Sequence, residues 1–268
     1  SDVARYQTPS TAEITQGAGA VAMLIEENPR LLEIDLSTIG LASSDEDDFF
    51  RPLPSITARV KGRYSVDCYN EALDVAFRDH ATRRGMTTAE VLNQTDLFVV
   101  HVPFHKMAVT GMTRLVEHHL GVNQTEAHEF LNTHHFDEGI EATRHIGNIY
   151  SGSAYMSLMF ALWRRYKVEG TGIVGRRVMI ASYGSGNTMS VISATVAADA
   201  PAILAEWDLD RVLDAGADAS VEAYREFVAK EEYTGETGPV SDGHEVARGE
   251  FFLRSIRDDG YREYDFCE

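Results

Sequence analysis

Apolar residues along this chain follow two rhythms. Tyr69, Ala72, Leu73, Ala76 and Phe77 recur at helical spacing and predict a helix over 65–84, with Ser65 placed to cap it and Asp67 in its first turn. Thr87-Thr-Ala-Glu90 has the capping-box pattern of a second, short helix. Helical spacing returns over 104–120, 125–132, 151–166 and 208–230. The other rhythm belongs to strands. Residues 18–26 are small and apolar and predict a buried strand stopped by Asn28-Pro29. Residues 31–41 alternate apolar and polar positions, and 96–101 form a short apolar run ending at His101-Val-Pro103. Residues 177–183 and 189–197 predict a strand pair around the Gly184-Ser-Gly186 turn. Strands alternating with helices give an α/β class. The tail from Glu231 is weakly patterned, and the prolines Pro52 and Pro54 keep the segment after an acidic loop, Asp45-Glu-Asp-Asp48, irregular.

Charge adds a second constraint. The 268 residues carry 42 acidic and 24 basic side chains, a net charge of −18, and only four lysines: Lys61, Lys106, Lys167 and Lys230. An acid-rich, lysine-poor surface suits a salt-rich cytoplasm, where salt screens repulsion between carboxylates. The same balance excludes a nucleic-acid partner, since no basic stripe exists to neutralise phosphates. No apolar run is long enough to span a bilayer, and no membrane role is expected. The two cysteines, Cys68 and Cys267, form no CxxC and no disulfide framework, which fits a reducing cytoplasm.

Several segments invite chemical readings. Gly17-Ala-Gly-Ala-Val-Ala22 matches a loose dinucleotide fingerprint, but it lacks the preceding strand and following helix, so close strand packing is the better reading. The adjacent pairs His118-His119 and His134-His135 point in different directions on a helix and make poor joint metal ligands. Ser182-Tyr-Gly-Ser-Gly186 is not a nucleophile elbow, because Ser182 stands where the first glycine belongs; it reads equally as a hairpin turn or as a donor of hydroxyl and backbone N–H groups. His101 sits at a strand end, where α/β folds meet ligands, and a histidine there is either a general acid/base or a satisfied structural residue. Lys106, five residues on, is either a phosphate or carboxylate contact or a solvated helix residue.

Six segments, in order, resemble one family. His101-Val-Pro-Phe-His-Lys-Met107 resembles the catalytic-histidine segment of 3-hydroxy-3-methylglutaryl-CoA (HMG-CoA) synthases, and Thr15-Gln-Gly-Ala-Gly-Ala-Val-Ala-Met23 their glycine-alanine strand. Asp48-Phe-Phe-Arg-Pro52, Gly62-Arg-Tyr-Ser65 with Tyr69, Gly147-Asn-Ile-Tyr-Ser-Gly-Ser-Ala-Tyr155 and Ser182-Tyr-Gly-Ser-Gly186 are similar to further segments of that family. The resemblance covers nearly the whole chain and weakens beyond about residue 205. It implies a thiolase-like fold, with residues 1–45 ending the N-terminal half and 46–268 forming the C-terminal half. It implies condensation of acetyl-CoA with acetoacetyl-CoA and water to HMG-CoA and CoA, a step of the mevalonate pathway, with no metal or organic cofactor. His101 then corresponds to the histidine that polarises the acetoacetyl substrate. Lys106 corresponds to a CoA contact, and Asn148 and Ser185 to contacts of the acyl group and thioester. Thr15 and Ser65 line the pocket, Tyr183 shapes it, and Asp2 and Asp48 match acidic positions of the site. A homodimer is expected.

The departures are informative. The family's nucleophilic cysteine and its glutamate precede the segment at which this chain starts, and neither Cys68 nor Cys267 stands in the nucleophile motif. Thr110 replaces a second basic CoA contact of some members. The expectation is therefore a haloarchaeal-type HMG-CoA synthase represented by its C-terminal portion and inactive alone. A non-catalytic CoA-binding subunit pairing with a cysteine-bearing chain, or another thiolase-fold condensing enzyme, are the competing readings.

Overall fold

The computed structural model describes residues 2–6, 8–50, 57–229, 238–239, 246–258 and 262–268. Pro52, Pro54, Lys230 and the Arg51-Pro52 end of the acidic motif lie outside the described residues. Two compact units are present, 1–215 and 216–268.

In the first unit, strands β1 (Asp2–Ala4) and β2 (Gly17–Gly19) form a small antiparallel pair. The long strand β3 (Leu32–Ser43) follows, then the short pair β4 (Phe49–Phe50) and β5 (Arg59–Val60). Helices α1 (Gly62–Arg83) and α2 (Thr88–Gln94) lead into β6 (Leu97–Val100). Helices α3 (His105–Leu120), α4 (Gln124–Thr133), α5 (Phe136–Ile140), α6 (Thr143–Ile146) and α7 (Gly152–Glu169) cross back to β7 (Arg177–Gly184). The hairpin partner β8 (Thr188–Val196) and short helices α8 (Ala200–Leu204) and α9 (Leu209–Asp214) complete the unit.

The central sheet has the order β3-β8-β7-β6, with β6 parallel to β7 and the other pairs antiparallel. Side-chain alternation splits its residues between two cores. Phe98, Val100, Ala181, Tyr183, Met189 and Val191 pack with the α1 and α3 residues Tyr69, Leu73, Phe77, Met112 and Val116. Leu97, Val99, Val178, Ile180, Ala194 and Val196 pack with Leu158 and Leu162 of α7 and Leu204 of α8. The sheet is thus a middle layer with helices on both faces, as an α/β class requires. Close approach of β3 to α1 depends on Gly40, where a Cβ would lie 2.1 Å from the Ala76 carbonyl oxygen.

The second unit contains α10 (Val221–Ala229) and three antiparallel strands in the order β11-β10-β9: β9 (Gly238–Pro239), β10 (Phe251–Ile256) and β11 (Arg262–Phe266). The weak pattern of the tail concealed this sheet.

Local expectations fare unevenly. The Thr87–Glu90 capping box forms with both of its hydrogen bonds. Ser65, expected to cap α1, does not; the helix starts earlier, at Gly62, and the Ser65 hydroxyl donates to Asp48 instead. Of the expected strand over 18–26 only Ala18 and Gly19 are extended in a sheet, as part of β2; Met23, Leu24 and Ile25 are exposed in irregular backbone. Their apolar character misled because it is not accompanied by a pairing partner. The helix expected over 208–230 is two helices separated at 215–220. Among the described residues no helix is long and apolar enough to cross a membrane.

Candidate active site

The site is built where β6 ends. Parallel pairing with β7 carries on one residue past the strand, so the His101 amide donates to the Ala181 carbonyl at 2.7 Å. Its own carbonyl accepts from the Tyr69 hydroxyl of α1 at 2.9 Å. Pro103 and Phe104 then turn the chain into α3. Both backbone groups of His101 are satisfied, and the residue is held between sheet and helix.

The imidazole is almost fully buried, 5% exposed. Its Nδ1 lies 2.9 Å from the Ser153 hydroxyl, near the start of α7, and that hydroxyl also accepts the Val102 N–H at 3.0 Å. Burial pushes the His101 pKa down to about 4, against a smaller upward pull from the Tyr150 carbonyl. The ring is therefore neutral at pH 7. A neutral imidazole can offer one N–H to a substrate carbonyl without carrying charge into the pocket.

On one side stands an acidic cluster. Tyr183 places its ring centroid 5.9 Å from that of His101 and packs edge-on against Tyr69. Its hydroxyl donates to Asp48 Oδ2 at 3.2 Å, and Ser65 donates to the same oxygen at 2.8 Å. Gly186 N–H donates to Asp48 Oδ1 at 3.2 Å. Asp48 is wholly buried, and these three donors replace the water it has lost. The Tyr183 phenol also bonds Ser185; burial first, then Asp48, raises its pKa. Ser185 itself is exposed in the turn between β7 and β8.

On the other side Asn148 donates to the Tyr6 hydroxyl at 2.8 Å and accepts from the Tyr150 amide at 2.8 Å. Thr15 also bonds the Tyr6 phenol, whose pKa burial raises. Backbone contact fixes this arrangement: Asn148 N–H donates to the Thr15 carbonyl at 2.9 Å. The approach requires glycines, since a Cβ on Gly17 would meet the Ile146 carbonyl at 2.5 Å and one on Gly147, at φ 81°, the Gln16 carbonyl at 2.1 Å. The glycine-alanine segment thus serves close packing and not a dinucleotide. Phe49, next to Asp48, packs edge-on against both Tyr6 and Tyr150 and joins the two clusters.

The structure therefore assembles His101, Asp48, Ser65, Tyr183, Ser185, Asn148 and Thr15 through shared partners. Lys106 is exposed in the first turn of α3 and makes no hydrogen bond or ion pair among the described residues. Asp2 contributes backbone to β1, opposite Gly19; its side chain lies outside the described residues. Sequence reasoning assigned no site role to Ser153, Tyr150 or Tyr6, and gave Tyr69 only a place in the α1 stripe and in a family segment. Ser153 had a signal, since it stands in the same segment as Asn148; Tyr6 had none. Cys68 is buried in α1, and burial followed by the Asp48 and Glu46 carboxylates pushes its thiol pKa up. Such a thiol is a poor nucleophile.

Comparison with known proteins places the chain in a family. The family model for the C-terminal domain of hydroxymethylglutaryl-coenzyme A synthase matches residues 40–135 and 127–266. The chain belongs to this family. Among HMG-CoA synthases, that of Enterococcus faecalis is 32% identical over 186 residues, 69% of this chain and 45% of the relative. That of Haloferax volcanii is 28% identical over 228 residues, 69% of this chain and 49% of the relative. A solved structure of MvaS in complex with 3-hydroxy-3-methylglutaryl coenzyme A superposes with a TM-score of 0.84 at 30% identity, covering 99% of this chain and 65% of that one. An HMG-CoA synthase complexed with CoA gives 0.79 at 27% identity, covering 98% and 64%. The fold is that of the C-terminal portion of thiolase-like HMG-CoA synthases. The chain spans about half the length of these two curated relatives.

Proposed function

We propose that this chain supplies the histidine-bearing portion of an HMG-CoA synthase, which condenses acetyl-CoA with acetoacetyl-CoA and water to HMG-CoA and CoA in the mevalonate pathway. The carrying observation is the neutral, buried His101, fixed by Ser153 at a strand end in a chain of this family. Its N–H polarises the acetoacetyl carbonyl. The Asp48–Tyr183–Ser65 and Asn148–Tyr6–Thr15 clusters set the walls against which the acyl group lies, and Ser185 contacts the thioester. Lys106, exposed beside them in sequence, takes the CoA phosphates or pantetheine. Asp2 is assigned to the same pocket on resemblance alone. No metal or organic cofactor enters the condensation.

The acetyl group needs a thiolate, and neither cysteine of this chain is suited to it; Cys68 is buried with a raised pKa. The nucleophile and the glutamate acting on the acetyl methyl come from a cysteine-bearing N-terminal half. Residues 1–45 then close that half and 46–268 form the other, in a homodimer working in the cytoplasm. The net charge of −18 with four lysines supports a haloarchaeal-type protein.

Acetoacetyl-CoA consumption is the test. The 268-residue chain alone should give none, and the same chain joined to or mixed with a cysteine-bearing half from a relative should give turnover that His101→Asn removes. Turnover by the chain alone would overturn the fragment reading. Full activity of the His101→Asn assembly would overturn the role of the histidine.

A further inference from the structure

On the far part of the α1–α3 contact, three ligand-type side chains converge outside the site. Asp74 lies on α1, and His118 and His119 occupy the last turn of α3. Asp74 Oδ1 stands 3.2 Å from His118 Nδ1 and 2.6 Å from His119 Nε2. The three donor atoms all lie within 4.8 Å of one another. Helical geometry separates adjacent residues by about 100°, which argues against joint action by a His-His pair. Here both rings swing to the same carboxylate, and their centroids come within 4.4 Å.

We infer that Asp74, His118 and His119 form a binding site for a divalent transition metal of the Zn²⁺ class, clamping α1 to α3. Two imidazoles and one carboxylate are the donor set such an ion takes, and ligands at about 2.0–2.1 Å from a tetrahedral ion sit roughly 3.3 Å apart. The 3.2 Å between Asp74 Oδ1 and His118 Nδ1 matches that spacing, the 2.6 Å contact with His119 must open by less than about 1 Å to admit the ion, and His118, with a side chain 69% exposed, is free to adjust. Arg78 Nε holds the other oxygen, Asp74 Oδ2, at 2.8 Å, which orients the carboxylate and leaves Oδ1 for the ion. Asp74 and His119 are mostly shielded, with side chains 24% and 13% exposed, while the His118 side opens to solvent and leaves room for a water ligand. The strong negative charge of the chain favours cation capture. The consequence is mechanical. Helix α1 carries Ser65 and Tyr69 and α3 begins four residues after His101, so a clamp between the two helices stiffens the Ser65–Asp48 side of the site and the support under His101.

The test is titration of the chelator-treated chain with Zn²⁺ by calorimetry, and with Co²⁺ by visible absorption, which reports nitrogen and oxygen ligation. One saturable ion per chain is expected, together with a rise in thermal midpoint on Zn²⁺ addition. His118→Ala, an exposed change that leaves folding intact, should weaken binding at least tenfold. Asp74→Asn and His118→Ala/His119→Ala should abolish both binding and the thermal rise. Absence of saturable binding in the unsubstituted chain would overturn the proposal, as would unchanged affinity in His118→Ala. Neither outcome bears on the role of His101.

Discussion

The Ser153 hydroxyl is shared between the His101 ring and the Val102 amide, 2.9 Å from the first and 3.0 Å from the second. Ser153→Ala removes both contacts inside a dry site. The expected loss is about 1–3 kcal/mol, since the Val102 N–H is left buried without an acceptor. Urea denaturation measures it. Ser153→Thr, which keeps the hydroxyl, should recover most of the loss; a Thr variant as unstable as the Ala variant would assign the effect to packing.

Neutrality of His101 ties stability to pH. The folded ring titrates at about 4 and the unfolded one near 6.5. Above pH 6.5 both states hold the neutral ring. As pH falls from 6.5 toward 4, the unfolded chain takes up a proton that the folded chain refuses, so folding weakens through that window and the loss levels off below it. The full effect is about 3 kcal/mol. Denaturation midpoints of the unsubstituted chain and of His101→Gln, followed over this window, should diverge, with the unsubstituted chain losing more. Parallel curves would contradict a buried neutral histidine.

Asp48 accepts from Ser65, Tyr183 and Gly186 with no exposed surface of its own. Asp48→Ala orphans all three donors and is expected to cost about 3–5 kcal/mol. Ser65→Ala removes one donor of three and should cost about 1 kcal/mol. Thermal or urea unfolding ranks them, and an Ala variant at position 48 no weaker than the one at position 65 would show that the carboxylate is not the hub.

Surface charge makes a separate claim. With 42 acidic side chains against 24 basic ones, repulsion should unfold the chain when salt is removed. Circular dichroism should report loss of helix between molar KCl and dilute buffer. An unchanged spectrum would remove the case for a halophilic protein.

Long periodic elements were legible in the sequence, and contacts between distant segments were not. Tyr69 to Phe77 mark α1 because one helical stripe meets one core. The β7–β8 hairpin was legible because its turn residues separate two apolar runs. Exposed Met23, Leu24 and Ile25 show the limit: apolar character predicts a strand only where a neighbour pairs with it. The site divides in the same way. His101 stood out by its position before Pro103, but its ring partner Ser153 is 52 residues away and was brought in by α7. Ser65 looked like a helix cap because cap and pocket roles use the same hydroxyl; only the position of Asp48 separates them. The His118-His119 pair looked inert because helical geometry says nothing about what the neighbouring helix presents, and α1 presents Asp74.

The doubly held backbone of His101, with its amide on Ala181 and its carbonyl on Tyr69, has a consequence for hydrogen exchange. Exposing that amide to solvent deuterium requires β6 to leave β7, and separating the tyrosine requires α1 to leave the sheet. The His101 amide should therefore exchange slowly, at a rate set by separation of β6 from β7. The residue assigned to chemistry is also a gauge of how often that strand opens.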